Sequence, residues 1–179
     1  MTSKKNNIVD RSTSFFSESM LKDFLTDQIR ELYWSEKFVL EMLPALRQAA
    51  SSDALKNAFE SNRQVTEEHV ARLEQIFRIL GDSPRSKKCD AVDIIMKESE
   101  TAMEEFEDGI MQDVALIVSA QKLQHYKIGG YRGLLWIAGT LGLNEAADLF
   151  EATLTEEEEA DQILLSIAQT QISLEPEDD

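Results

Sequence analysis

The stretch Leu154-Thr155-Glu156-Glu157-Glu158-Glu159-Ala160-Asp161-Gln162-Ile163-Leu164 decides the fold, through the question of which of its side chains share a face. At about 100° per residue in a helix, Glu157 lies on the stripe that joins Leu154 to Leu164, and Asp161 follows one turn later. Glu156, Glu158 and Glu159 turn toward the edge of that stripe or the water. A carboxylate on a core-facing stripe costs several kcal/mol unless it is paired, hydrogen-bonded or metal-bound. The segment therefore reads as a packed helix that carries polar residues into its own core.

The same pattern recurs upstream. One helix, about Ser17 to Ala50, has the apolar stripe Leu21, Leu25, Ile29, Leu32, Val39 and Leu43, with Glu36 on the same line and Pro44 near its last turn. A second, about Asp53 to Leu80, aligns Leu55, Phe59, Leu73 and Phe77, and on that line fall Asn62, Thr66 and His69. Ser52 or Asp53 can cap its start and Gly81 stops it. A shorter helix, about Asp90 to Glu107, carries Val92, Ile95, Ala102 and Phe106, after a polar loop at 82–89. Another long one, about Met111 to Leu141, places Gln121 and Gln124 between Ile117 and Ile128, with Tyr131 beyond and Gly142 as its stop. The last runs from about Asn144 to Ile172.

Short links between the first and second long helices, and between the third and fourth, make two antiparallel hairpins. The long middle connection has a helix of its own. This predicts an all-α fold: a ferritin-like antiparallel four-helix bundle with an extra short helix in the long crossover. The domain is expected over residues 17–172, after a loose N-terminal arm at 1–16 and before an acidic tail at 173–179. Only 7 Gly and 3 Pro in 179 residues agree with long helices and argue against an all-β domain.

A net charge of -16 opposes contact with phosphate backbones, so nucleic acid is not an expected partner. Cys89 is the only cysteine, so neither an internal disulfide nor a cysteine zinc cluster can form. The polar start lacks a signal-type apolar core, and the longest apolar run, Val114 to Val118, is too short to span a bilayer. The expectation is a cytoplasmic protein without a membrane partner.

The inward polar residues leave two readings open. Facing helices that turn Glu, Asp and His inward are how bundles hold a pair of iron or manganese ions. Equally, Glu36, His69, Gln121, Gln124, Tyr131, Glu157 and Asp161 can form a buried hydrogen-bond network without an ion. His69 taken singly reads as a satisfied core histidine. His125 lies at a helix edge, where nothing supports a general base.

The segments Glu31 to Lys37, Thr66 to Gln75 and Lys88 to Ala91, with Ala120 to Tyr126, Tyr131 and Leu154 to Asp161, together resemble the YciE/YciF-type ferritin-like proteins over roughly residues 20–172. The resemblance implies a five-helix domain that commonly pairs as a dimer, in a bacterial family associated with stress responses. It also implies a dinuclear site built on Glu36, carboxylates or His around 64–69, position 124, and the pair Glu157 and Asp161. The metal candidates are thus Glu36, His69, Gln124, Glu157 and Asp161. Two departures stand out: a glutamate-rich stretch reads Gln64-Val65 here, and a Glu-His-Tyr-Glu pattern reads Gln124-His125-Tyr126-Lys127. Glutamine is a neutral, poor ligand and a nearby lysine opposes a cation. The expected cofactor is iron or manganese held weakly, or none, in a stress-associated homodimeric bundle without established catalysis. The alternative is a di-iron or di-manganese oxidase or peroxidase of oxidative stress.

Overall fold

The computed structural model describes residues 17–106 and 109–171. The expected arm at 1–16 and the tail at 173–179 lie outside them. Five helices occur in chain order: α1 (Glu18–Ala49), α2 (Asp53–Ile79), α3 (Asp90–Glu105), α4 (Ile110–Thr140) and α5 (Asn144–Gln171), and there are no strands among the described residues. The four long helices form the bundle, with α1 against α2 and α4, and α5 against α2 and α4, while α3 lies on α4 and touches α1. The ferritin-like arrangement expected from connectivity is the one observed.

Local chemistry sets the ends. Ser17 and Ser52 accept from the backbone N–H groups of Met20 and Leu55, capping α1 and α2. Gly81 and Gly142 follow the ends of α2 and α4 at φ 73° and 69°, a region that costs other residues about 1–2 kcal/mol. Beyond each glycine the chain bonds back, Asp82 N–H to Phe77 and Leu143 N–H to Ala138, both at 2.9 Å, closing the helix ends. Pro44 removes one N–H, yet α1 continues through it to Ala49. Within α4, a Cβ on Gly130 would meet Leu32 Cδ2 at 3.3 Å, so the missing side chain is what lets α4 approach α1.

Two apolar clusters fill the bundle. One gathers Leu25, Ile29, Leu32, Leu73, Phe77, Tyr131, Leu134 and Phe150 around the α2 and α4 C-terminal ends. The other gathers Val39, Leu43, Leu55, Phe59, Cys89, Val92, Met96, Leu116 and Leu164 near the opposite end. Between them, in chain order on each helix, lie the buried polar residues Glu36, Thr66, His69, Gln124, Lys127 and Glu157. The core is an apolar–polar–apolar stack, and the polar layer is the site.

Candidate functional site

Each long helix contributes to this layer, because each stripe that packs the two apolar clusters must cross it. α1 supplies Glu36, α2 His69, α4 Lys127 and Tyr131, and α5 Glu157. Glu36, Glu157 and Lys127 are fully buried. The Lys127 ammonium sits between the two carboxylates, 2.8 Å from Glu36 Oε2 and 2.5 Å from Glu157 Oε1. His69 Nδ1 faces the same pair, 3.0 Å from Glu157 Oε1 and 3.6 Å from Glu36 Oε1. The Tyr131 hydroxyl donates to Glu36 Oε1 at 2.7 Å.

A second layer holds the imidazole from its other side. His69 Nε2 lies 2.9 Å from Glu156 Oε2, and Arg72 grips both oxygens of Glu156, with Nη2 2.8 Å from Oε1. With carboxylates facing both ring nitrogens, the ring is held as an imidazolium that donates from Nε2 to Glu156 and turns the charge at Nδ1 toward Glu157 and Glu36. Burial alone would lower its pKa, but hydrogen bonds to Glu157 and Glu36 outweigh that and raise it to about 9. Burial alone would raise the Glu36 carboxyl, yet the Lys127 charge and then His69 pull it down to about 2. Burial opposes charge on Lys127 as well, and the attraction of Glu157 and Glu36 raises its pKa above the ordinary lysine value. Tyr131 is pushed well above 10 by burial and then by the two carboxylates, so it stays a neutral donor. Three carboxylates thus face three cations, Lys127, Arg72 and His69.

Contacts between the inner groups are close but poorly aligned as hydrogen bonds. Lys127 Nζ, His69 Nδ1, Glu36 Oε2 and both Glu157 side-chain oxygens lack a well-directed partner. Charge, more than directed bonding, holds these atoms together, and the carboxylate lone pairs remain turned inward.

Of the five sequence-expected metal residues, the structure brings three together. Glu36, His69 and Glu157 each offer a ligand atom, and these atoms all lie within 4.8 Å of one another, a donor set of the kind that can hold a divalent ion. Gln124 is buried, but its Nε2 points to the Glu157 backbone carbonyl at 3.4 Å. Asp161 is buried, but its carboxylate turns to other partners, 3.2 Å from Nε2 of the exposed His125 and 3.5 Å from Gln121 Nε2. Both stand outside the three-residue group. Conversely, Lys127 and Arg72 belong to the cluster without having been singled out as inward residues. Glu156, expected at the edge or in water, is half-buried and tied to His69 and Arg72.

The metal that a ferritin-like fold implies does not fit the residues as they stand. An ion bound by the Glu36 and Glu157 oxygens would lie roughly 3–4 Å from the Lys127 ammonium, at a repulsion of roughly 9 kcal/mol even at an effective dielectric constant of about 20. The two carboxylates hold that ammonium charged, so the repulsion is not relieved by losing a proton.

The family described as Domain of unknown function (DUF892) matches residues 20–176. The chain belongs to this family. Protein YciF of Escherichia coli (strain K12) is 30% identical over 149 residues, covering 83% of this chain and 90% of that protein. The crystal structure of YciF, described as a stress protein, superimposes with a TM-score of 0.80 over 83% of this chain and 94% of its own. YcfI from Rhodopseudomonas palustris, described as a candidate structural protein, is 28% identical with a TM-score of 0.77, covering 91% of this chain and 99% of its own. A two-domain protein of Anabaena variabilis with a ferritin-like domain matches at 16% identity and a TM-score of 0.56, over 100% of this chain and 48% of its own, and shows the shared fold alone. This DUF892 chain is therefore a YciF-type protein of ferritin-like fold. Among its described residues, no helix is long and apolar enough to cross a membrane.

Proposed function

We propose that this chain acts as a non-enzymatic, stress-associated structural bundle that pairs with a second copy of itself in the cytoplasm. The observation that carries the reading is the Lys127 ammonium between Glu36 and Glu157, where an oxidase or peroxidase of this fold would need a redox metal. A buried, charge-balanced cluster specifies how four helices meet, but it offers no open coordination position and no redox couple. The descriptions of YciF as a stress protein and of YcfI as a candidate structural protein point the same way. Pairing is supported by exposed apolar side chains on the outer face of α3 and α4, where Ile94 is 61% and Val118 47% exposed around a depression also lined by Phe106 and Ala115.

The metal-oxidase reading is kept as the second one, because Glu36, His69 and Glu157 do converge. Elemental analysis of untagged protein, grown with iron and manganese supplied, separates the two. A well-folded protein with far less than one equivalent of metal per chain is the expected result. About two equivalents would establish the dinuclear reading instead.

A further inference from the structure

We infer that the Lys127 ammonium is an internal replacement for a divalent cation, and that Glu36, His69 and Glu157 form a latent metal site which this lysine keeps closed. The inference rests on the metal-free reading above and deepens it, by naming the residue that excludes the ion and the ligands that remain.

Three independent features carry it. First, the ammonium does what a bound cation would do: it bridges carboxylates from α1 and α5, helices that both pack against α4. Second, the donor atoms around it are held by charge and not by directed hydrogen bonds. Both Glu157 side-chain oxygens, Glu36 Oε2 and His69 Nδ1 are buried without a well-directed hydrogen-bond partner, and their lone pairs or proton converge on the space that the lysine tip fills. In a purely structural ion pair such atoms usually find neutral donors as well. Third, supporting groups are already placed as around a metal. Glu156 faces His69 Nε2 at 2.9 Å, which orients the ring with Nδ1 toward the carboxylates. Arg72 fixes Glu156, and Tyr131 fixes Glu36 Oε1. A carboxylate behind a ligating imidazole is the usual means of orienting the ring and making it a better donor.

Removing the lysine charge should therefore leave two buried carboxylates and an imidazole in need of a cation, and a divalent ion can meet that need once His69 gives up the proton on Nδ1. A hard or borderline ion that accepts carboxylate and imidazole together, such as Mn²⁺ or Co²⁺, is the matching class.

The test compares wild type, Lys127→Ala and Lys127→Met by calorimetric titration with manganese chloride, and by the visible absorption of added cobalt chloride. Wild type should show neither binding that depends on Glu157 nor a cobalt ligand-field band. Lys127→Ala should bind about one ion per chain, gain the cobalt band and melt several degrees higher with the ion than without it. Adding Glu157→Gln to that variant should abolish all three effects. Lys127→Met keeps the bulk of the side chain without its charge, and should bind more weakly than Lys127→Ala because its tip still fills the space. If the alanine variant does not fold alone, refolding with manganese chloride should rescue it, whereas manganese-free buffer with chelator should not. A folded Lys127→Ala that takes up no ion, or a variant that no divalent ion rescues, overturns the inference while leaving the metal-free reading of the wild type intact. Glu157-dependent binding by wild type would overturn both.

Discussion

Glu36, Glu157 and Lys127 share one buried space, so none of them can be altered alone without leaving an unmatched charge. Glu36→Ala strips the ammonium of one partner and Tyr131 of its acceptor. Breaking a buried pair in this way costs about 3–5 kcal/mol, and urea denaturation followed by circular dichroism should show a loss of that size. A loss below about 1 kcal/mol would mean that Glu36 is solvated. The same layer sets a pH window. Glu36 has a folded pKa of about 2 against an ordinary 4.5, so its contribution is present above the ordinary value and lost as pH falls from there toward 2. His69 has a folded pKa of about 9 against 6.5, so its contribution is complete below 6.5 and lost as pH rises toward 9. The groups facing the ring are Glu36, Glu156 and Glu157, with Lys127 and Tyr131 beside it. Thermal melts should therefore peak between about pH 4.5 and 6.5 and fall on both sides. In His69→Gln the decline between about pH 6.5 and 9 should disappear.

Among the helices, the joint between α4 and the α1–α2 turn is made by Asp113 and by Ser51, whose Oγ accepts from the Gly109 N–H at 2.8 Å. Asp113, buried in the first turn of α4, accepts from the backbone N–H groups of Ser51 and Ser52 at 2.6 and 2.8 Å. It also places a negative charge near two helix N-termini, where partial positive charge accumulates. Asp113→Ala leaves both N–H groups without that acceptor and should cost about 1–3 kcal/mol, measured by the midpoint of urea unfolding. Asp113→Asn keeps one acceptor oxygen and should lose less. Hydrogen exchange at the amides of Ser51 and Ser52 should quicken in the alanine variant before the rest of the bundle does.

At the scale of the molecule, five helices close a core whose two apolar ends are joined by a charged middle, and a net charge of -16 surrounds it. Self-association against such charge needs an apolar contact, and the face bearing Ile94 and Val118 offers one. Wild type should run as a dimer by light scattering, and Ile94→Glu with Val118→Glu should run as a monomer of unchanged helicity. A wild-type monomer, or an unaffected dimer in the double variant, would move the interface elsewhere or remove it. The exposed Trp136, 70% open on α4, supplies a fluorescence reporter.

What the sequence determined by itself was local and periodic. The 100° step places Glu36, His69 and Glu157 on apolar stripes whatever their neighbours are, and Gly81 and Gly142 stop helices because each sits at positive φ. Hairpin pairing followed from the short links. Only the tertiary structure decided which inward groups meet. Lys127 falls three after Gln124 and four before Tyr131, so its place on the stripe was legible, but a lysine there usually stretches its amine out to water. Its burial requires two carboxylates from α1 and α5, 121 positions apart in the chain as Glu36 and Glu157, to arrive at the same point. Glu156 looked like part of a solvated run until His69 and Arg72 of α2 reached across to it, and the buried Asp161 pairs with His125 instead of joining the Glu36, His69 and Glu157 group. Long charged side chains choose partners by the gaps between helices, and those gaps exist only after packing.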